Sequence, residues 1–338
     1  MKKRMLALLL TAALLFAAAG CTANPAEGET SQPSSASQEG AVDAETGLLK
    51  NVIAETGDTI TLDDVLAGEV TIQKRPQQVL VLLNSVLDLW YMAGGSAVAR
   101  IEGEDNIPDE AKALPTIGTM STPSVEKIVG YQPDLVILVN TLTKHREIQP
   151  ALQQAGVPNI SVSYKDYDDF LYLFELFTHI TDQPGHGGEL SEIKSRVDAE
   201  IEKAQGKPKQ KAMILYATAS YVKAGVPKSV VGDMLERLGA ENVIDAETAH
   251  GESMVDFSME KVLESNPDVL FIQMARDGKK AEENAMNEIQ SNPAWQEVSA
   301  VKNNRIYVVP REFSTLKPNA RYPEAFAFFY EKLYGDEA

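Results

Sequence analysis

Two stretches of this chain, Ser124-Val125-Glu126-Lys127-Ile128-Val129 leading to Pro133-Asp134-Leu135-Val136-Ile137, and Ser258-Met259-Glu260-Lys261-Val262-Leu263 leading to Pro267-Asp268-Val269-Leu270-Phe271-Ile272, are two copies of one pattern. In each, a Ser stands two residues before a Glu and a Pro seven residues after it. The pattern predicts a short helix opened by a Ser cap, with an acid in the first turn where the macrodipole favours it. The helix stops ahead of a Pro-Asp turn that launches a buried strand. A repeat of a helix-strand unit on this scale implies two similarly built α/β units.

The flanking sequence keeps the same rhythm. Apolar runs alternate with helical patterns: Val79 to Leu83 then Val86 to Met92, Leu135 to Val139 then His145 to Gln154, and Ile160 to Val162 then Phe170 to Ile180. It returns with Ala212 to Tyr216 then Val230 to Leu238, Val269 to Met274 then Ala281 to Gln290, and Ile306 to Val309 then Glu324 to Leu333. Short apolar strands each followed by a helix predict parallel sheet with crossover helices. A hairpin-like piece, Thr59 to Leu62 and Glu69 to Ile72 around Gly68, precedes the first unit. Between the units, Leu190, Ile193, Val197 and Ile201 recur at three or four residues within Glu189 to Gln205, a helix of about five turns bounded by Gly187-Gly188 and Gly206-Lys207-Pro208. It either crosses from one unit to the other or lies on the surface of one.

The 338 residues, 44% hydrophobic, suffice for two cores. With 31 Lys+Arg against 49 Asp+Glu, a formal charge of −18, the surface is not built to neutralise phosphates, which excludes nucleic acid as a partner. Membrane attachment therefore has to come from hydrocarbon. The N-terminus has that character: Lys2, Lys3 and Arg4, an apolar run from Met5 to Ala19, then Gly20 and Cys21. Ala18-Ala19-Gly20-Cys21 resembles the bacterial lipobox, in which the Cys thiol is lipidated after cleavage; the competing reading is a secretory signal with an incidental Cys. Cys21 is the only cysteine, so there is no internal disulfide. The stretch from Thr22 to Gly57, rich in Ser, Ala, Glu, Gln, Thr and Gly, is expected to be a disordered tether or spacer reaching roughly 30–36 Å.

The body resembles the ABC-importer solute-binding proteins for ferric siderophores, haem and cobalamin. The resemblance is carried by Arg75-Pro76-Gln77-Gln78-Val79-Leu80-Val81-Leu82, Ile117-Gly118, the two repeat copies, Leu152 to Val157, Val231-Gly232-Asp233-Met234-Leu235, Leu238 to Val243, Pro293-Ala294-Trp295, and Ala300 to Tyr307. It implies two Rossmann-like α/β lobes joined by a single long helix (the class III periplasmic-binding-protein fold), a shallow cleft, little closure, and a monomer. The domains then run 1–20 as a lipoprotein signal peptide, 21–57 as a tether from lipidated Cys21, 58–184 as the first lobe, 185–207 as the interlobe helix, and 208–338 as the second lobe. The protein would sit on the extracytoplasmic face of the cell membrane. Glu126 and Glu260 correspond to the acids that dock onto arginines of the permease dimer in this family.

Ligands of open α/β sheets lie outside the carboxyl ends of the strands. That rule selects Asn84, Ser85, Met120, Asn140, Tyr221, Arg276 and Arg311 with their neighbours. Arg276 or Arg311 would meet the anionic oxygens of an iron chelate, and Trp90, Tyr91, Tyr221 or Phe313 its apolar body, although core packing is the ordinary fate of Trp90 and Trp295. Met120 stands where haem-binding relatives offer a thioether to iron. A complete haem site would add a His from the other lobe; His250 is the candidate there, and Arg276 stands where those relatives place that His. His145, His179 and His186 are expected to be solvated or at the core edge. No GxSxG, Walker-type loop, GxGxxG or HExxH is present, so no catalytic residue, resident metal or cofactor is expected. The transported ligand is expected to be an iron complex, a ferric siderophore in the first instance and haem or cobalamin in the second. A ligand-sensing or adhesive lipoprotein is the reading from another class.

Overall fold

Alternating apolar residues at Ile60, Leu62 and Ile72 turn one face of a three-stranded antiparallel meander inward: β1 (Val52–Glu55), β2 (Thr59–Asp64) and β3 (Gly68–Gln73), in the order β1-β2-β3. The computed structural model describes residues 49–245, 252, 254–275 and 278–335. The expected signal peptide, Cys21 and the expected tether as far as residue 48 lie outside the described residues. The expected tether boundary at Gly57 is too late, because Leu49 and Val52 are buried and β1 pairs with β2. Buried Asp64 fastens the meander to the body, accepting the Leu66 and Ala67 N–H groups of its own turn and both the N–H and hydroxyl of Ser161. At the other end, Lys74 pairs with Glu55 at 2.8 Å, and Arg75 with Asp58 and Asp182 at 2.7 Å each.

The first α/β unit follows as β4 (Val79–Val81), α1 (Asn84–Met92), β5 (Ala99–Arg100), the hairpin of β6 (Gly118–Thr119) and β7 (Thr122–Pro123), α2 (Val125–Gly130), β8 (Leu135–Val139), α3 (Thr143–Gln154), β9 (Asn159–Val162) and α4 (Tyr167–Thr181). Its four-stranded sheet has the order β5-β4-β8-β9, every pairing parallel. Helix α5 (Gly187–Ala204) then leads to the second unit. That unit comprises β10 (Lys211–Ala217), β11 (Val222–Gly225), α6 (Val230–Arg237), β12 (Glu241–Asn242), β13 (Met254–Val255), α7 (Met259–Ser265), β14 (Val269–Met274), α8 (Gly278–Ser291), α9 (Ser299–Lys302), β15 (Ile306–Val309) and α10 (Tyr322–Tyr334). Here β12, β10, β14 and β15 are parallel, but β11 and β13 join antiparallel, so the expected all-parallel second sheet is in fact mixed.

The sequence repeat has a structural counterpart. Ser124 and Ser258 hydroxyls accept from Lys127 N and Lys261 N, both at 3.3 Å, capping α2 and α7. The Asp134 carboxylate accepts from Gln77 N and Gln78 N ahead of β4, and Asp268 from Lys211 N at the start of β10. Each Pro-Asp turn therefore ties together the entry points of two neighbouring parallel strands.

Helices α2 and α3 cover one face of the first sheet, and α8 with Trp295 one face of the second. The remaining faces share a single apolar cluster that runs through α1, α4, α6 and α10. Within it Tyr167 and Phe170 from α4 meet Tyr322 and Phe326 from α10, with ring centroids 4.8–5.6 Å apart for three of the pairs. The two units are thus joined through an aromatic seam as well as through α5. An interface of this composition resists relative motion in a way a polar one does not.

Candidate functional site

Parallel strands deliver their carboxyl ends to one edge, and in this chain the loops leaving those ends in the two sheets touch. After β5, Asp105 pairs with Arg311, which follows β15, at 3.1 Å. Beside it the Asn106 amide donates to the Leu316 carbonyl at 2.7 Å. After β4, the Ser85 carbonyl accepts from the Asn319 amide at 2.9 Å, and Asp88 accepts from the same amide at 2.7 Å. After β9, the Tyr164 hydroxyl donates to Asn319 Oδ1 at 2.7 Å. Burial raises the Asp88 carboxyl above its ordinary range, and the Asn319 hydrogen bond opposes that rise only in part. Asn319 itself is buried and takes a left-handed φ of 46°, as does its neighbour Lys317 at 67°. The Lys317 ammonium lies 5.0 Å from the Tyr164 ring centroid, and burial pushes it down to about 8.

Of the residues selected from the sequence, Asn84, Ser85 and Arg311 belong to this convergence. Asn84 approaches Gly103, whose φ of 143° and missing side chain make room: a Cβ there would lie 2.8 Å from the Asn84 amide nitrogen. Asn84 Oδ1 and Arg311 Nε are buried without a hydrogen-bond partner among the described residues, unlike most buried polar atoms. Tyr221 is exposed, at the turn between β10 and β11, and touches Lys223. Arg276, and with it His250, lies outside the described residues.

Two of the selected residues are placed elsewhere. Tyr91 sits seven residues along α1, about 10 Å beyond the strand end, and its hydroxyl accepts from Ala97 N, closing the turn after the helix. Phe313 turns inward, 8% exposed, against the Phe328 ring at 5.9 Å. Trp90 and Trp295 are fully buried.

Met120 is exposed at the tip of the β6–β7 hairpin. His145, expected at a solvated or core-edge position, is instead fully buried beneath it. Its Nδ1 accepts from Val139 N at 3.0 Å, which leaves the proton on Nε2, facing the Met120 main chain. Burial holds this imidazole down at about 4. The unfolded chain therefore binds one more proton than the folded one between about pH 6.5 and 4, and stability falls as pH drops through that window, by roughly 3 kcal/mol in full. His145→Gln is expected to be less stable than wild type at pH 7, with the difference narrowing at pH 4.5 in urea unfolding. His179, by contrast, pairs with Glu55 at 2.8 Å, outside this site.

Three groups at the strand ends carry no motif. Arg146 is exposed and forks onto the Asn140 carbonyl at 2.6 Å and Thr143 Oγ1 at 3.0 Å, which places a cation beside Asn140. Asp105 and Lys317 are the others; a Lys-Pro-Asn run was the nearest signal for the last. No cluster of three or more His, Cys, Asp or Glu suited to a metal exists among the described residues, and no described helix is long and apolar enough to cross a membrane.

Glu126 and Glu260 are both exposed, in the first turns of α2 and α7, and neither has an ion-pair partner among the described residues.

This arrangement has known counterparts. The family model for periplasmic binding proteins matches residues 79–313. A Bacillus subtilis protein named Fe(3+)-citrate-binding protein YfmC is 26% identical over 269 residues, 77% of this chain and 81% of its own. The uncharacterized ABC transporter substrate-binding lipoprotein YvrC of the same organism is 24% identical over 286 residues, covering 82% and 86%. Among solved structures, that of S. aureus IsdE complexed with heme superposes with a TM-score of 0.65 at 21% identity, covering 76% of this chain and 98% of its own. The family match spans both sheets and most of the strand-end loops; the chain belongs to the periplasmic binding proteins, a family that carries solutes for transport and not one of enzymes.

Proposed function

We propose that this chain is the lipid-anchored, extracytoplasmic solute-binding component of an ABC importer, and that it carries an anionic ferric chelate of the siderophore or hydroxycarboxylate class. The observation that carries the reading is the meeting of strand-end loops from both sheets, where Arg311 reaches the half-exposed Asp105 carboxylate of the other sheet's loop with its guanidinium Nε buried and unpaired among the described residues. A planar fork of donors suits the carboxylate or catecholate oxygens around ferric iron, and Arg146 adds a second cation on the other sheet. The name of YfmC supports ferric citrate as a first probe, and that of YvrC supports anchoring through Cys21.

In this reading residues 1–20 are the signal peptide, Cys21 carries the lipid, and residues beyond it up to the meander tether a monomer to the outer leaflet. The halves on either side of α5 are the two lobes, roughly 58–184 and 208–338. Glu126 and Glu260 dock onto basic residues of the permease dimer. Isothermal titration with ferric citrate, a ferric tris-catecholate, haem and cobalamin tests the carrier role. Micromolar or tighter binding of a ferric chelate is expected; binding of none of the four would leave a sensing or adhesive lipoprotein as the better description.

Met120 favours haem as a second reading, since the residue is 38% exposed at a hairpin tip on the strand-end side. If haem is the ligand, the purified protein shows a Soret band that Met120→Ala shifts or weakens by roughly tenfold in affinity. An unchanged spectrum in the variant removes Met120 from the iron.

A further inference from the structure

The Arg311 side chain, 25% exposed, reaches from the loop after β15 to Asp105, 45% exposed, in the loop after β5. The two residues are 206 positions apart and belong to different sheets. Next to them, Asn106 holds the Leu316 carbonyl, so the loop bearing Asp105 is fixed in place against the loop bearing Arg311. The pair thus sits at the carboxyl edge of both sheets, where the ligand of such a fold binds. A half-exposed ion pair contributes little, typically under 1 kcal/mol, so it can be exchanged for another anion. The bulk of the molecule gives no help to an incoming anion, since the chain carries a formal charge of −18. Asp105 itself adds a negative charge 3.1 Å from the one arginine that bridges the two sets of loops among the described residues.

We propose that Asp105 is a resident counter-ion that occupies the anion position of the cleft, so that an anionic chelate must displace its carboxylate to reach the Arg311 guanidinium. Asp105 then sets both the affinity and the charge selectivity of the site: weakly anionic ligands fail to displace it, while a chelate presenting two carboxylate or catecholate oxygens to the fork succeeds. The displacement also breaks one of the contacts between the two sets of loops, and so couples occupancy to the seam without requiring large closure. The inference rests on the proposed function, that the ligand is an anionic ferric chelate.

The test compares wild type, Asp105→Asn, Arg311→Gln, the double variant and Glu104→Gln by titration with ferric citrate, a ferric tris-catecholate and haem, alongside thermal unfolding of the ligand-free proteins. Asp105→Asn is expected to bind the best of these probes roughly three- to fivefold more tightly than wild type, the equivalent of removing a competing half-exposed ion pair. Arg311→Gln is expected to weaken binding at least tenfold, and adding Asp105→Asn to it is expected to restore nothing. Glu104→Gln, which removes a neighbouring charge, is expected to change affinity less than twofold. Equal or weaker binding by Asp105→Asn while wild type binds overturns the resident counter-ion and leaves a plain structural ion pair. An equal gain from Glu104→Gln, or in the Arg311→Gln background, overturns it in favour of a general charge effect. Absence of binding of all three probes by both wild type and Asp105→Asn overturns the anionic ferric chelate as ligand, and the counter-ion with it.

Discussion

Reversing Glu126 and Glu260 together to lysine is expected to abolish uptake of the carried complex by cells, while the purified variant binds that complex with wild-type affinity. Both acids stand exposed in the first turn of a short helix whose Ser cap is intact. Each reversal turns a favourable interaction with the helix dipole into an unfavourable one, about 0.3–1 kcal/mol per site, which a fold of this size tolerates. Docking is another matter. In the proposed docking each lysine would face a basic residue of the permease, and a like-charge juxtaposition costs several kcal/mol, so two of them correspond to at least a hundredfold loss of productive encounters. The single reversals should retain part of the uptake, because one lobe remains registered. Radio-iron accumulation by cells carrying each variant, set beside titration of the purified proteins, separates docking from binding. Wild-type accumulation by the double variant would remove these two acids from the docking surface.

Much of the fold was legible because its central strands are buried on both faces. Leu135–Val139 and, but for Gln273, Val269–Met274 are continuous apolar runs bounded by turn residues, and their limits coincide with β8 and β14. The edges were less legible: β15, an edge strand with only Val309 buried, still shows as the run Ile306–Val309, but others do not. β1 buries only Val52 among its four residues and exists because β2 pairs with it. β11 is a four-residue strand that folds straight back on β10, and β13 has two residues and is received by β11 about thirty residues upstream, antiparallel to it. Propensity and periodicity carry no information about such partners.

The candidate site divides along the same line. Strand-end position alone located Asn84, Ser85 and Arg311, since the rule concerns where a chain leaves a sheet. It failed for Tyr91, which lies two turns along α1, partly buried against the core with its hydroxyl on Ala97 N, and for Phe313, whose ring turns back into the core against Phe328. Asp105 and Asn106 carry no motif; only their contacts with Arg311 and Leu316, more than two hundred residues away, give them a role. His145 was expected at a solvated or core-edge position, yet the Val139 N–H and the hairpin above it draw it fully inside.

Gly232→Ala is expected to be among the most destabilising single-methyl additions in the chain, by about 3 kcal/mol, the upper end of what overpacking costs. Gly232 lies in the first turn of α6, and a Cβ there would stand 2.3 Å from the Val226 carbonyl oxygen and 2.4 Å from that of Pro227. Both contacts are with backbone, so no rotamer change relieves them and the start of α6 has to move. That helix grips α4: Asp233 accepts from Tyr167 N at 3.1 Å, and Arg237 bridges Asp233 at 3.0 Å and Asp168 at 2.7 Å. Burial raises the Asp233 carboxyl, opposed by Arg237, so a shift that loosens the arginine leaves a poorly solvated acid at the seam. The same displacement reaches the loop after β9, where Tyr164 holds Asn319, so chelate affinity should fall together with stability. Thermal unfolding should show a Tm lower by roughly 5–10 °C for a chain of this length. Gly130→Ala, at a helical glycine with nothing within 4 Å of the added Cβ, is the control and should leave the Tm unchanged or slightly higher. A Gly232→Ala protein melting within 2 °C of wild type would mean that α6 can slide freely on the Val226–Pro227 turn, and the rigid joining of the two sheets through α4 and α6 would no longer hold.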